Sequence, residues 1–345
     1  MNKKYKVIFI ALLILLIVVI STMFFSPLKY IWENNIADKD NDIELYIPSG
    51  SSFDDVKQLL IDSNALKNVK IFDIVSGLLN YKKDNVPSGR YILKSPMNTI
   101  SIVRKFRAGD QTPVNVTFNN VRTINELAGR IGNKLALDSI QIMEKVNDAD
   151  YLSNLGFNKD DILSMFIPNT YQMFWNISVD KFFDRMKSEY DKFWNARKEK
   201  LDSSGMSATE IYTIASIVEK ETLVSDEKPK IASVYLNRLK TGMKLQADPT
   251  VVFANGDFSL TRVYNKHLSI DSPYNTYMYE GLPPGPICMP DVSTIDAVLN
   301  SEDTDFIFFC AAPDNSGRHL FAKNLAEHAR NANKYRQWLD KLNVK

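Results

Sequence analysis

Glu219 and Glu221 stand one residue apart at the end of a stretch, Ser207 to Thr222, that reads SATEIYTIASIVEKET. Carboxyl groups beside an apolar stripe are candidates for general acid and base chemistry, because loss of water raises their pKa toward neutrality. Ser207 followed by Glu210 has the capping-box spacing, so a helix begins near Ala208. Ile211, Ile214, Ala215 and Val218 recur at i, i+3, i+4 and i+7 and form its inward face. At about 100° per residue, Glu219 falls on one border of that face, beside Tyr212 and Ala215, and Glu221 on the opposite border. Two carboxyls so placed cannot share one bond. If the helix lines a cleft, one of them is in it, and the other braces the helix or faces solvent. Taken alone, the segment also reads as the commoner case of a solvated charge run.

The elements that must position these residues follow in order along the chain. Ile43 to Ile47 reads as a strand, Ser52 with Asp55 starts a helix, and Ile71 to Leu79 is a second helical pattern. A strand over Arg90 to Leu93 and a helix over Thr99 to Phe106, stopped at Gly109, complete a small α+β unit. Beyond Pro113, Val114 to Phe118 alternates as a strand, and Thr123 with Glu126 repeats the capping-box spacing. Asp138 to Lys145 is a further helix. Val179 to Lys198 is a long one whose aromatic face, with Phe182, Phe183, Tyr190, Phe193 and Trp194, is expected in the core. Asp202 to Gly205 is expected as a loop into the Ser207 helix. Ser225 and Pro229 start another helix that stops at Gly242, and Val251 to Phe253 is expected as a strand. The segment 272–286, rich in Pro and Gly, is a stiff loop. Strands at Phe306 to Ala311 and Arg318 to Phe321 and a closing helix from Leu325 to Leu342 end the chain.

The chain has 345 residues, 45% hydrophobic and 24% charged, enough for two domains with a sizeable core. A net charge of +1 offers no footprint for nucleic acid. Cys288 and Cys310 fit no metal spacing and read as buried small hydrophobes, with one bridge between them left open. His267, His319 and His328 form no H-x-x-x-H pair, so no metal is expected. Val7 to Phe25 is an apolar run softened only by Ser21 and Thr22, long enough to cross a hydrocarbon core of about 30 Å. Lys3, Lys4 and Lys6 precede it, and acidic residues follow it. The expectation is an uncleaved single-pass anchor with its N-terminus in the cytoplasm and the rest of the chain on the outer, periplasmic side. The expected division is 1–26 as cytoplasmic tip and anchor, 27–42 as a solvated polar linker, 43–112 as the small module and 113–345 as the larger domain.

Four blocks then stand in order: ASIVEKET at 215–222, KIASVYLNRLKTGMKLQADPTVVF at 230–253, SPYNTYMYEGLPPGPI at 272–287 and GRHLF at 317–321. Together they resemble the signatures of the membrane-bound endolytic murein transglycosylases, the YceG-like family. The resemblance implies a LysM-like glycan-binding unit at 43–112 and an α+β catalytic domain after it. It implies cleavage of peptidoglycan strands between N-acetylmuramic acid and N-acetylglucosamine, leaving a 1,6-anhydromuramyl end. It implies that Glu219 is the catalytic acid, and that the protein cuts nascent strands to length beside the membrane synthases. The chain departs from the family pattern in three places. The stretch Leu163 to Tyr171, LSMFIPNTY, lacks the Glu-Gly pair and the Asp that many members carry there. Pro290-Asp291 stands where P-G is usual, and Asp314-Asn315-Ser316-Gly317 replaces the usual Gly-rich turn before the histidine, the last two being turn-compatible.

A glycosidase that uses water normally needs two carboxyls some 5 to 9.5 Å apart. A lytic transglycosylase needs one, which protonates the leaving oxygen and then takes the proton of the muramyl C6 hydroxyl as that oxygen attacks C1. No cofactor is then required. Asp248 is the candidate second carboxylate, with an Asx turn before Pro249 as its structural alternative. Asn237 and Arg238 lie in the last turn of their helix, where arginine also complements the dipole. Gln246, Tyr274, Asn275 and Tyr277 offer hydrogen bonds or stacking to sugar rings, and Glu221 offers support. His319 is a candidate partner for Glu219 or for substrate. The rival readings are a muramidase that uses water with Asp248, and a non-catalytic wall-binding scaffold for synthases.

Overall fold

A computed structural model of the chain describes residues 3–25, 27–38, 40–260 and 262–342; within 3–25, side chains are described for Lys6 and 9–19. It is a mixed α+β protein whose backbone falls into two compact units, one formed by 1–115, 134–136 and 172–177 and the other by the remainder.

The first unit holds helix α1 (Lys3–Phe25), strand β1 (Ile43–Ile47), α2 (Phe53–Asp62), α3 (Val69–Leu78), β2 (Gly89–Leu93) and α4 (Thr99–Ala108). β1 and β2 pair antiparallel, Ile43 opposite Leu93 and Ile47 opposite Gly89. Their inward residues Leu45, Ile47, Tyr91 and Leu93 meet Phe53, Phe72, Tyr81 and Phe106 in one core. The expected solvated linker is only partly so. Asn35 and Ile36 are fully buried, because the Asn35 amide donates to the Asn68 carbonyl (3.1 Å) and to Thr99 Oγ1 (3.0 Å) while accepting from Asn68 N–H. A polar side chain can be buried when its hydrogen bonds are satisfied.

The expected anchor lies in α1, whose described apolar side chains at 9–19 are exposed. Among the described residues no helix is long and apolar enough to cross a membrane; the remainder of that run, at 7–8 and 20–25, lies outside the described side chains.

In the chain beyond, β3 (Val114–Phe118), α5 (Ile124–Gly132), α6 (Ser139–Asn147), α7 (Ala149–Leu155) and β4 (Asn169–Met173) lead to α8 (Val179–Asn195) and α9 (Lys198–Ser204). α10 (Ala208–Glu221), α11 (Lys228–Lys240), α12 (Asp248–Asn255), α13 (Asn265–Leu268) and α14 (Val292–Leu299) follow, then the hairpin of β5 (Phe308–Ala311) and β6 (His319–Ala322), and α15 (Leu325–Lys341). Of the aromatic face of α8, Phe182 and Phe183 are fully buried against Phe166 and Trp194 is buried, while Tyr190 and Phe193 are half-buried at its margin. Two expectations fail here. Val251 to Phe253 is helical, because Pro249 favours the first turn of α12 and Gly256, at positive φ, ends it. Asp202 to Ser204 is the last turn of α9 rather than loop.

α10 is the axis of the larger unit. Ser207 and Glu210 form the capping box that the spacing predicts. Every residue from Ile211 to Val218 is buried. The helix is enclosed by α11, α12 and α14 and by the 162–165 turn, whose neighbour Phe166 accepts from Tyr212 Oη at 2.9 Å. The proline-rich loop is tied to the same helix, since Ser216 Oγ accepts from Ile287 N–H (3.0 Å) and Ser216 carbonyl from Cys288 Sγ (3.4 Å). Gly285 lets that loop close down: a β-carbon there would sit 2.0 Å from the Asp160 carbonyl oxygen. Cys288 and Cys310 are both free thiols, so no bridge joins them.

Candidate active site

The last turn of α10 sends its two carboxyls in opposite directions, as their places on the helix require. Glu219 Oε2 accepts from Lys228 Nζ at 2.9 Å and from Thr294 Oγ1, while Lys228 Nζ also donates to Thr294 at 2.6 Å. Both charged side chains are mostly buried, with 17% exposure for Glu219 and 8% for Lys228. Glu219 thus ties the ends of α10, α11 and α14 together and leaves no lone, mobile carboxyl. The spacing argument left open which glutamate lies in a cleft, and the structure places Glu219 in this brace.

Glu221 faces the other way, into a cavity of about 440 Å³ lined also by Arg122, Lys220, Asp248, Phe253, Phe258 and Arg262. Its Oε1 accepts from Tyr235 Oη at 2.5 Å. Burial pushes the Glu221 carboxyl up to about 7; the Tyr235 hydroxyl works against this, the Asp248 charge adds to it, and Arg238 opposes it. The result is a carboxyl that is protonated for much of the time near neutrality and opens onto a cleft. Tyr235 is wholly buried, and its own hydroxyl is held well above its ordinary value, first by burial and then by the Glu221 charge. It therefore remains a donor.

Asp248 opens α12 rather than forming an Asx turn, and its Oδ1 accepts from Tyr277 Oη at 2.6 Å. Asp248 and Tyr277 are thus brought to the Glu221 side. The other expected residues are engaged elsewhere or point to solvent. Arg238 donates from Nε to the Ile307 carbonyl (2.7 Å) and from Nη1 to the Leu245 carbonyl (2.5 Å). Asn237 donates to the Thr304 and Phe306 carbonyls. Asn275, fully buried, clamps the 268–277 loop through the Leu268 and Ile270 carbonyls. Tyr274 packs its ring 4.7 Å from that of Phe253, behind the cavity wall. Gln246, exposed at positive φ, donates its backbone N–H to the Thr276 carbonyl. His319 meets Glu227 and not Glu219: ring Nδ1 lies 3.0 Å from Glu227 Oε2, and the His319 backbone N–H donates to Glu227 Oε1.

Among the lining or supporting residues not singled out from the sequence as site residues are Tyr235, Arg122, Lys220, Phe253, Phe258 and Arg262. Tyr235 carried a signal, since a tyrosine on the buried face of a helix needs a partner for its hydroxyl. The others lie on loops or at a helix end and carried none.

The sequence matches the YceG-like family over residues 45–334. The chain belongs to the YceG-like family. Among relatives of this YceG-like protein, an endolytic murein transglycosylase of Bacillus subtilis is 30% identical over 315 residues, covering 86% of each chain. One of Streptococcus pneumoniae is 27% identical, covering 83% of this chain and 57% of its own length. A crystal structure of a YceG-like protein from Listeria monocytogenes aligns with a TM-score of 0.54 at 30% identity, over 84% of this chain and 99% of that one.

Proposed function

We propose that this YceG-like protein is an endolytic peptidoglycan lytic transglycosylase in which Glu221, rather than Glu219, is the catalytic acid. The observation that carries this is the Glu221 carboxyl, raised to about 7 and held by Tyr235 at the edge of the cavity. Glu221 donates its proton to the glycosidic oxygen as the muramyl C1–O bond breaks. The carboxylate so formed, steadied by the Tyr235 hydroxyl, takes the proton of the C6 hydroxyl while its oxygen bonds to C1. One glutamate is restored to its acid form, no water is consumed, and the product ends in a 1,6-anhydro ring. Phe253 and Phe258 give the cavity apolar faces on which sugar rings can lie. The test is Glu221→Gln beside Glu219→Gln on purified glycan strands, with mass analysis of the products. Cleavage retained by Glu221→Gln and lost by Glu219→Gln in a folded protein would return the role to Glu219.

A second reading is supported by Asp248, which shares the cavity and is oriented by Tyr277. In that reading Asp248 activates water and the protein is a muramidase. Borohydride separates the two, because a hydrolysed end is reducible and an anhydro end is not.

The wider setting belongs to the same proposal. α1 anchors the chain in the membrane with the active unit on the outer side, a reading motivated by Val7 to Phe25 and the lysines before it. Protease accessibility in intact and permeabilised cells tests it. The first unit, with two helices between two antiparallel strands, is proposed as the LysM-like glycan-binding module. Retention of wall strands lost on deleting 43–112 would support it. Termination of strand growth beside a synthase predicts longer glycan chains in cells that lack the protein.

A further inference from the structure

Apart from Glu221 and Asp248, the charged residues lining the cavity are all cations: Arg122, Lys220 and Arg262. With Glu221 about half protonated near neutrality, three cations face fewer than two formal anions, and Asp248 is already hydrogen-bonded by Tyr277. Among the described residues none of the three cations has an ion-pair partner. The Arg122 guanidinium lies over the Phe258 ring at 4.7 Å, which fixes its plane and leaves its N–H edge free. Lys220 Nζ makes one bond, to Asn120 Oδ1 at 3.2 Å, and retains donors for another acceptor. Arg262 is exposed at the rim, with its guanidinium 5.6 Å from the Tyr264 ring centre. Arg238, by contrast, is engaged by two backbone carbonyls and has no comparable freedom. Neutral sugars need no such wall, whereas a carboxylate does.

We infer that Arg122, Lys220 and Arg262 form a carboxylate-binding wall that reads the substituent on the muramyl ring held at Glu221. The inference rests on the transglycosylase reading, which puts a muramyl residue there. That ring carries a lactyl ether which ends either in its own carboxylate or in an amide to a peptide stem bearing further carboxylates. The wall therefore makes cleavage depend on the charge of the substituent, and not on the glycan backbone alone.

The experiment measures binding by the full-length protein in detergent, with Glu221→Gln to keep strands uncut. The probes are glycan strands with peptide stems, the same strands after amidase has exposed the lactyl carboxylate, and stemmed strands whose carboxylates are neutralised by carbodiimide coupling to methylamine. Neutralised strands are expected to bind roughly tenfold more weakly, the size of one lost charge-assisted hydrogen bond. Their binding should also respond less to salt. Adding Arg122→Gln and Arg262→Gln should abolish the difference, and Arg262→Gln alone, at an exposed position, should reduce it without a cost in folding. The stripped and stemmed arms assign the source: tighter stripped strands name the lactyl carboxylate, and tighter stemmed strands name the peptide. Equal binding of charged and neutralised strands, or discrimination unchanged in the double variant, overturns the inference. Carboxylate-dependent binding with no cleavage by the unsubstituted protein would instead sink the transglycosylase reading and leave the wall standing.

Discussion

The two flanks of the last turn of α10 carry the same side chain in opposite environments. On one flank Glu219 meets a buried lysine and a threonine hydroxyl, so its charge is matched and its position is locked. On the other, Glu221 is buried and faces another carboxylate through the cavity, so its charge is penalised, and the Tyr235 hydroxyl only partly offsets this. A matched charge holds structure together, and a penalised one is available for proton transfer. The difference arises from what the neighbouring helices present. Lys228 and Tyr235 lie seven residues apart on α11, two turns along one face, and each meets a different glutamate.

The largest effect that can break this contrast is on turnover. Glu221→Gln is expected to lower kcat by about a thousandfold, within the range for loss of a general acid. Glu219→Gln is expected instead to destabilise the fold by about 3 kcal/mol, since it leaves Lys228 buried without its counter-charge. Its residual activity should keep the unsubstituted pH profile, and chemical denaturation beside a pH–rate curve checks both.

A subtler effect is on stability against pH. The folded value of Glu221 is raised from about 4.5 to about 7, so its contribution is fully present below about 4.5 and is lost as pH rises through about 7. Glu221→Gln should match the unsubstituted protein at low pH and exceed its stability by about 3 kcal/mol above pH 7. The unsubstituted enzyme should lose kcat as pH rises through about 7, where the acid form disappears. The smallest effects are displacements of that limb. Tyr235→Phe removes a donor that favours the ionised form and should move the limb to higher pH. Asp248→Asn removes a like charge and should move it to lower pH. Shifts of the same sign in both variants would break the account of how the carboxyl is tuned.

Much of the local architecture was legible. The capping box at Ser207 and Glu210, the stop at Gly109, the alternation over Ile43 to Ile47 and the aromatic face of α8 are all signals carried within a few residues. Helical periodicity also showed that Glu219 and Glu221 diverge. It could not show which border faces a cavity, because that depends on Tyr235, Asp291 and Thr294, the last two more than seventy residues away along the chain. The same limit hid the Glu227 partner of His319 and the burial of Asn35. Val251 to Phe253 misled because three strand-favouring side chains outweighed the Pro and Gly that bracket a helix.

The enclosure of α10 also bears on the order in which the molecule comes apart. A helix buried from Ile211 to Val218 has amides that can exchange with solvent hydrogen only when its surroundings open as a whole. The proposed acid sits one turn beyond that protected segment, whereas Phe258 and Arg262 stand on the exposed rim. Deuterium uptake should therefore be fast along the rim and slow along the helix. Substrate capture would then tolerate local breathing, while the proton donor keeps its place until the larger unit unfolds.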